Sequence, residues 1–150
     1  MTNELADLSL PGARGTTQVQ GAQGIFYKVL LNGEPVSRRK GAWPIPAKGG
    51  ETELRARGLL PGFQTLWWNG TEVYRFGAHA SVLEKVVMFA PLLLTLSLTL
   101  VGLFLGLVLF FVSVLVVKNV AMPKPLRIAL PLVNTVAGGV IVAVLGGLLG

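Results

Sequence analysis

Few side chains in this sequence have the type and spacing that catalysis or metal binding requires. The chain of 150 residues contains one histidine, His79, and no cysteine. This composition excludes an all-histidine metal site within one chain, a thiolate metal site, a disulfide and a cysteine nucleophile. Ser81 and Glu84 lie near His79, but they form no Ser/His/Asp set and no carboxylate pair. The sequence therefore predicts no catalytic residue, no metal site, no cofactor and no enzymatic activity.

One group of basic side chains has a spacing that favours contact with an anionic surface. If 34–40 pairs with 51–57 as neighbouring strands, these side chains share one sheet face. They are Arg38, Arg39, Lys40, Arg55 and Arg57. Such a face is suited to lipid head groups or to a protein partner. The alternative is a solvated face, partly neutralised by Glu51 and Glu53, that blunts edge pairing.

Trp43 is the aromatic candidate for the same contact. It begins the segment Trp43-Pro44-Ile45-Pro46, whose two prolines predict an extended loop. In that loop the indole serves either as an anchor for a partner or as a lid that closes the core. The net charge of +6 is spread along the chain, so the composition requires no nucleic acid partner. No small-molecule substrate is evident.

A small antiparallel β domain is predicted to position these residues. Residues 1–23 have few large apolar side chains and predict a flexible arm, and residues 24–78 form the β domain. Asn32-Gly33 and Asn69-Gly70 each separate two strand-like runs, which is typical of tight hairpins. In the second hairpin this register sets Leu66 opposite Val73 and Phe63 opposite Phe76. Five short strands indicate a sandwich or an open barrel.

Two apolar runs follow the β domain, and they give the predicted fold class of a membrane protein with α+β architecture. Residues 86–117 and 128–150 contain no ionisable side chain over 32 and 23 positions, more than the ~20 that a bilayer helix needs. Residues 79–85 form a linker and residues 118–127 a basic connection. The first run predicts one long helix that Pro91 permits to kink, so the two runs form a helical hairpin.

Small side chains recur at four-residue spacing in both runs and predict close helix packing. The row of small residues in the first run and the row in the second are expected to face each other, or one row faces a larger partner protein. These residues are Gly102 and Gly106, then Thr135, Gly139, Ala143 and Gly147.

The sequence gives two opposing indications of orientation in the cell membrane. Lys118, Lys124 and Arg127 make the connection basic, which favours the cytoplasmic side for it and the outside for the β domain. The N-terminus, however, has acidic residues where a signal peptide is basic, which favours a cytoplasmic β domain. We expect the cytoplasmic β domain of a multi-pass protein. A version with three spans removes the conflict and stays open.

Two stretches carry a family resemblance. PIPAKGGETELRARGLLPGF and KNVAMPKPLRIALPLVNT resemble the corresponding parts of small membrane proteins of actinobacteria. The resemblance implies an N-terminal β domain and a membrane anchor, and it implies no activity and no catalytic residue.

The function that these features favour is that of a non-catalytic accessory subunit in a larger membrane transport or cell-envelope complex. In this interpretation the helices anchor the chain and the β domain contacts protein. One alternative is a module that binds anionic lipid at the membrane surface. Another is a channel or transporter for small solutes formed by oligomers.

Overall fold

A computed structural model describes the backbone of residues 4–149 and the side chains of residues 4–146. The chain divides into two compact units, Met1–Ala78 and His79–Gly150. The first unit contains only strands and loops among its described residues, and the second contains only helices and their connections. The α+β class and the small antiparallel β domain are thereby confirmed.

The first unit consists of two four-stranded antiparallel sheets in which sequence neighbours pair. The first sheet contains β1 (Leu5–Leu8), β2 (Thr17–Gln20), β3 (Lys28–Leu31) and β4 (Glu34–Pro35). The second contains β5 (Ala42–Ala47), β6 (Gly50–Arg57), β7 (Thr65–Trp68) and β8 (Thr71–Arg75). Both sheets contribute to one apolar core, so we call this unit the β sandwich. Its most buried members include Val19, Val29, Ile45, Leu54, Leu66, Trp68 and Phe76.

One hydrogen bond and one ring contact join the two sheets. The Trp68 Nε1 atom donates a hydrogen bond to the Pro11 carbonyl oxygen at 3.0 Å. The Tyr27 ring, just before β3, stacks on Phe76, just after β8, with 4.1 Å between the ring centroids. Burial of each large apolar side chain contributes about 1.5–3 kcal/mol, and these contacts also fix the register of the layers.

The first 23 residues differ from the predicted flexible arm. Residues 1–3 lie outside the described part of the chain, and residues 4–23 contain both β1 and β2. The prediction of a flexible arm was wrong. In β2, Thr17 and Val19 are buried, whereas Gln18 and Gln20 are only half-buried. That alternation is a strand signal, and it is too short to stand out in a polar segment.

The two Asn-Gly hairpins are confirmed, but the predicted register of the second is wrong. Leu31 pairs with Glu34 and Trp68 with Thr71, so each turn has two residues with positive φ, as type I′ turns require. Leu66, however, pairs with Tyr74 rather than Val73, because a β-bulge shifts the register. The shift turns the two aromatic side chains Tyr74 and Phe76 toward the core.

The Phe76 backbone N–H donates to the Gln64 carbonyl oxygen at 3.0 Å. Phe63 therefore does not lie opposite Phe76, as the unshifted register required.

The segment Trp43–Pro46 is not a loop but part of strand β5. Only Glu34–Pro35 of the predicted strand 34–40 is extended, and it pairs with β3 rather than with β6. The partner of β6 is β5. The two prolines are compatible with this strand because β5 lies at the edge of its sheet, where the missing N–H groups are not needed.

The second unit, here called the helical unit, contains three α-helices and one 3₁₀ segment among its described residues. These are α1 (Val82–Val87), the 3₁₀ segment (Ala90–Ser97), α2 (Leu100–Lys118) and α3 (Lys124–Leu149). Helices α2 and α3 are long and apolar enough to cross a membrane. The predicted linker 79–85 contains the start of α1.

The prediction of one long helix over 86–117 was wrong. Pro91 stands at the start of the 3₁₀ segment, where it has no N–H to donate to a preceding turn. Leu98 then adopts a left-handed conformation with φ of 55° and reverses the chain. The Thr99 hydroxyl accepts a hydrogen bond from the Gly102 N–H at 3.0 Å and so caps the N-terminus of α2.

Gly102 and Gly106 pack against the 3₁₀ segment rather than against α3, so the predicted seam is corrected. A Cβ atom on Gly102 would overlap Ser97 Oγ and lie 2.6 Å from the Leu94 carbonyl oxygen. A Cβ atom on Gly106 would lie 2.9 Å from Thr95 Cγ2. Because earlier residues of the 3₁₀ segment meet later residues of α2, the two elements run antiparallel.

In α3 the closely packed glycine is Gly138 rather than Gly139. A Cβ atom on Gly138 would lie 2.6 Å from Leu94 Cδ1, whereas one on Gly139 would make an ordinary 3.8 Å contact. The Thr135 hydroxyl donates to the Pro131 carbonyl oxygen at 2.7 Å within its own helix. Ala143 is exposed, and the burial of Gly147 lies outside what the structure describes.

We predict that Gly102→Ala destabilises the helical unit, because the added methyl overlaps Ser97 and the Leu94 carbonyl. Overpacking of this kind costs about 1–3 kcal/mol. The matched control is Gly146→Ala, where the added Cβ would meet nothing within 4 Å. It is expected to be neutral or stabilising by up to ~1 kcal/mol through helix propensity. Thermal unfolding in detergent, followed by circular dichroism, measures both; equal melting temperatures contradict the packing described.

Candidate functional site

Strand β6 carries charged side chains on the outside of the sandwich. Leu54 is fully buried, whereas Glu53, Arg55 and Arg57 on either side of it are exposed, as a half-buried strand requires. Trp67 of β7 is the Cα partner of Arg55. Its ring centroid lies 5.2 Å from the Arg57 guanidinium carbon, a cation–π distance.

The predicted basic residues do not form one uniform face. The Arg55 Nε atom donates to Glu53 Oε2 at 2.9 Å, so Arg55 is paired within β6. Arg39 and Lys40 lie in a tight turn, in which the Arg39 N–H donates to the Ala42 carbonyl oxygen at 2.7 Å. The predicted pairing of 34–40 with β6 is absent, and these residues approach β6 through that turn instead.

Trp43 is not available as an exposed anchor. The residue is only 6% exposed and belongs to the core. The guanidinium carbon of Arg38 lies 4.7 Å from the centroid of the Trp43 ring. Of the two alternatives for Trp43, the structure places the indole in the core, where it also lies 5.8 Å from the Tyr27 ring centroid.

The loops of the sandwich alternate between its two ends because each sheet is an antiparallel meander. One end, here called the exit end, contains the point at which the chain leaves the sandwich after Phe76. It comprises the loops 21–27, 36–41 and 58–64 and residues 76–78. The opposite end contains the turns 32–33, 48–49 and 69–70.

Direct contacts hold the loops of the exit end together. The Tyr27 hydroxyl donates to Gln64 Oε1 at 2.9 Å, and the Gln64 Nε2 atom donates to the Gly58 carbonyl oxygen at 3.5 Å. The Gln64 carbonyl oxygen accepts from the Phe76 N–H. Gln64 therefore joins the loop before β3, the loop after β6 and the exit of the chain.

Basic side chains concentrate at the exit end, and sequence spacing alone does not show this. Arg57 pairs with Thr65, and Thr65 pairs with Arg75, which places both arginines at the ends of their strands. The basic residues of this end are Lys28, Arg38, Arg39, Lys40, Arg57 and Arg75. Among the described residues, the acidic side chain at the exit end is Glu4. Arg75 is paired separately, since it donates a hydrogen bond to Glu72 at 2.7 Å. Glu51 lies toward the opposite end, beside Pro46.

Two large apolar side chains project from the exit end. Phe26 is 87% exposed in the loop before β3, and Leu59 is 100% exposed in the loop after Arg57. Single exposed apolar residues are common on protein surfaces. These two differ because they stand on loops that Gln64 holds together, and because a basic residue at a strand end, Lys28 or Arg57, lies two positions from each.

The helical unit has a second cluster, which sequence reasoning missed. Glu84 is fully buried, and its Oε1 atom lies 3.1 Å from Nε of Arg127. Its Oε2 atom accepts a hydrogen bond from the Ser81 backbone N–H at 2.6 Å. The pattern Ser81-x-x-Glu84 before an apolar run is a capping-box signal, but Arg127 is too distant in sequence for any pattern to connect it.

The Glu84 carboxylate has a partner at each of its oxygens, Arg127 at Oε1 and the Ser81 backbone N–H at Oε2. The Glu84–Arg127 pair thus joins α1 to the start of α3. The arrangement is structural, since an ionised and paired carboxylate has no proton to transfer at neutral pH.

The ionisable side chains of the helical unit lie at one end of it. The His79 Nε2 atom donates to the Val117 carbonyl oxygen at 3.2 Å, which brings the start of the unit to the end of α2. The ionisable residues from 79 onward are His79, Glu84, Lys85, Lys118, Lys124 and Arg127. At the other end, Leu98 in the chain reversal is 92% exposed. We call the first of these the charged end.

Comparison with protein-family models, curated proteins and solved structures gives no match for this chain. The actinobacterial resemblance therefore stays a prediction, as do the absence of enzymatic activity and the partner. Among the residues that the structure describes, no three His, Asp or Glu side chains gather into a metal-ligating group.

We predict that Glu84→Gln destabilises the helical unit by on the order of 3 kcal/mol, because it leaves Arg127 buried without a counter-charge. The Glu84→Gln/Arg127→Gln double variant is expected to lose less than the two single variants together. The matched control is Lys124→Gln, which removes an exposed charge at the same end. Unfolding in detergent measures all four, and strict additivity contradicts a direct pair.

Proposed function

We propose that the chain is a non-catalytic accessory subunit of a larger membrane transport or cell-envelope assembly. In this proposal the helical unit lies in the bilayer and the β sandwich contacts protein at the membrane surface. The observation that carries the proposal is the apolar exterior of the helical unit together with its single charged end.

The exterior of α2 and α3 is covered with large apolar side chains. The exposed ones include Leu103, Phe104, Leu107, Val108, Phe111, Val112, Leu115, Leu132, Val133, Val136, Val140, Ile141 and Val144. Soluble monomers rarely expose apolar patches beyond a few hundred Å², whereas a bilayer covers such a surface. With 19 residues in α2 and 26 in α3, the helices are about 28 and 39 Å long, enough for the hydrocarbon layer.

The segment that precedes α2 is long enough to be a third crossing. It comprises α1 and the 3₁₀ segment, and it runs antiparallel to α2 as the packing of Gly102 and Gly106 requires. Six α-helical and eight 3₁₀ residues, with the two residues that join them, extend over roughly 25–30 Å. We infer three crossings, in which the first is a broken helix.

Three crossings remove the conflict over orientation. The basic connection and the entry of the chain at His79 then lie on the same side, at the charged end. The positive-inside rule assigns that end to the cytoplasm, and the β sandwich, which directly precedes it, follows to the same side. This orientation agrees with the cytoplasmic β domain expected from the N-terminal sequence.

The polar side chains within the apolar elements support an anchor rather than a transport path. The hydroxyl groups of Thr95, Ser113 and Thr135 donate to the carbonyl oxygens of Leu92, Leu109 and Pro131 in their own elements. These hydroxyl groups form hydrogen bonds with nearby backbone carbonyl groups and do not line a path for a solute. Residues 86–117 also contain no ionisable side chain. On α3, Ala143 is exposed and offers room for a partner helix.

We predict that purification from native membranes in a mild detergent recovers a larger membrane protein in stoichiometric amount, identified by mass spectrometry. Ala143→Leu is expected to reduce this recovery several-fold because it obstructs helix approach. Val140→Leu, at another exposed position of α3, is the matched control and is expected to leave it unchanged. Recovery of the chain alone, or solute transport by the purified chain in liposomes, contradicts the proposal.

A further inference from the structure

We propose that the exit end of the β sandwich inserts Phe26 and Leu59 into the head-group region of an anionic membrane, with its basic residues on the lipid phosphates. The inference rests on the membrane anchoring proposed above. It adds a second membrane contact, made by the sandwich itself.

The apolar part of this contact consists of the two loop tips. Phe26 and Leu59 are almost completely exposed, and neither contributes to the core of the sandwich. Placing such side chains in the head-group and acyl boundary removes apolar surface from water. Full burial contributes about 1.5–3 kcal/mol for each residue, so the two tips give a weak but directional insertion.

The polar part comes from the surrounding basic residues. Lys28 begins β3 two residues after Phe26, and Arg57 ends β6 two residues before Leu59; each basic residue near an anionic surface contributes about 1 kcal/mol. Arginine also binds phosphate oxygens in a bidentate manner. Arg39 and Lys40 line a pocket together with Glu51 and Glu53, so the phosphate contact is assigned to Lys28 and Arg57 rather than to those two basic residues.

The connection to the helical unit favours lipid as the occupant. The chain leaves the sandwich at the exit end, and only six residues, Phe76–Ser81, separate β8 from α1. Six residues reach at most about 20 Å, so the tips are held at high effective concentration beside the membrane. A weak contact is sufficient under that tether.

The test uses the full chain in nanodiscs, with an environment-sensitive fluorophore on a single introduced cysteine, because the natural sequence has none. In nanodiscs containing phosphatidylglycerol, a fluorophore at Leu59→Cys is expected to shift to shorter wavelength. It is also expected to be several-fold less accessible to an aqueous quencher than one at Thr71→Cys, in the turn at the opposite end. High salt is expected to reduce the difference.

Two charge variants separate the role of the exit end from a general charge effect. Lys28→Gln/Arg57→Gln is expected to restore quenching at position 59 several-fold. Arg14→Gln/Lys48→Gln removes equal charge from exposed positions at the opposite end and is expected to change nothing.

Three results distinguish the possible failures. A fluorophore at position 59 that stays fully quenchable in anionic nanodiscs overturns the lipid contact while leaving the anchor intact. Protection that appears only when a co-purified protein is present assigns the tips to a protein partner and also overturns it. Failure of the chain to enter nanodiscs contradicts the membrane anchoring itself.

Discussion

The structure of the helical unit depends on the pairing of Glu84 with Arg127. Neither charge is stable in an apolar environment alone, because removal of an ion from water costs several kcal/mol unless a partner compensates it. The pair holds the start of α1 against the start of α3 and so fixes which ends of the helices coincide. All the ionisable side chains of the unit then share one end, and the remainder of its surface is free to be apolar.

The chain reversal at Leu98 is the second half of the same constraint. The segment made of α1 and the 3₁₀ segment starts at the charged end, and α2 ends there. The chain must therefore turn back between them, at the opposite end. Ser97 and Thr99 make this turn possible without charge, since the Thr99 hydroxyl caps α2 and lies 3.0 Å from Ser97 Oγ. Gly102 and Gly106 then allow the returning helix to pack closely against the incoming segment.

Local patterns in the sequence predicted much of the secondary structure. The Asn-Gly hairpins, strand β6 and the two long apolar helices follow from turn chemistry and from residues within one element. The exit end was only partly foreseen. Four of its six basic residues were singled out, whereas Lys28 and Arg75 were not, and their common location depends on the order of eight strands. Phe26 and Leu59 gave no sequence signal, because a single exposed apolar residue looks the same as a core residue.

Features that depend on distant residues could not be predicted. The bulge between Leu66 and Trp67 shifts the pairing by one residue, and the residues of the hairpin alone give no signal of it. The glycine spacing in α2 was recognised correctly as a packing signal. The element that packs on Gly102 and Gly106, however, is the 3₁₀ segment that contains Pro91, and the sequence pattern did not indicate a separate element there. The Glu84–Arg127 pair joins positions 43 residues apart, and only the folded chain shows it.

The most direct test of this account is the accessibility of single cysteines to a membrane-impermeant maleimide in intact cells. The three positions are Leu98→Cys in the chain reversal, Val120→Cys in the basic connection and Ser37→Cys in the sandwich, all exposed. Position 98 is expected to be labelled from outside, and positions 37 and 120 only after permeabilisation. The same behaviour at 98 and 120, or labelling of 120 from outside, would contradict this arrangement.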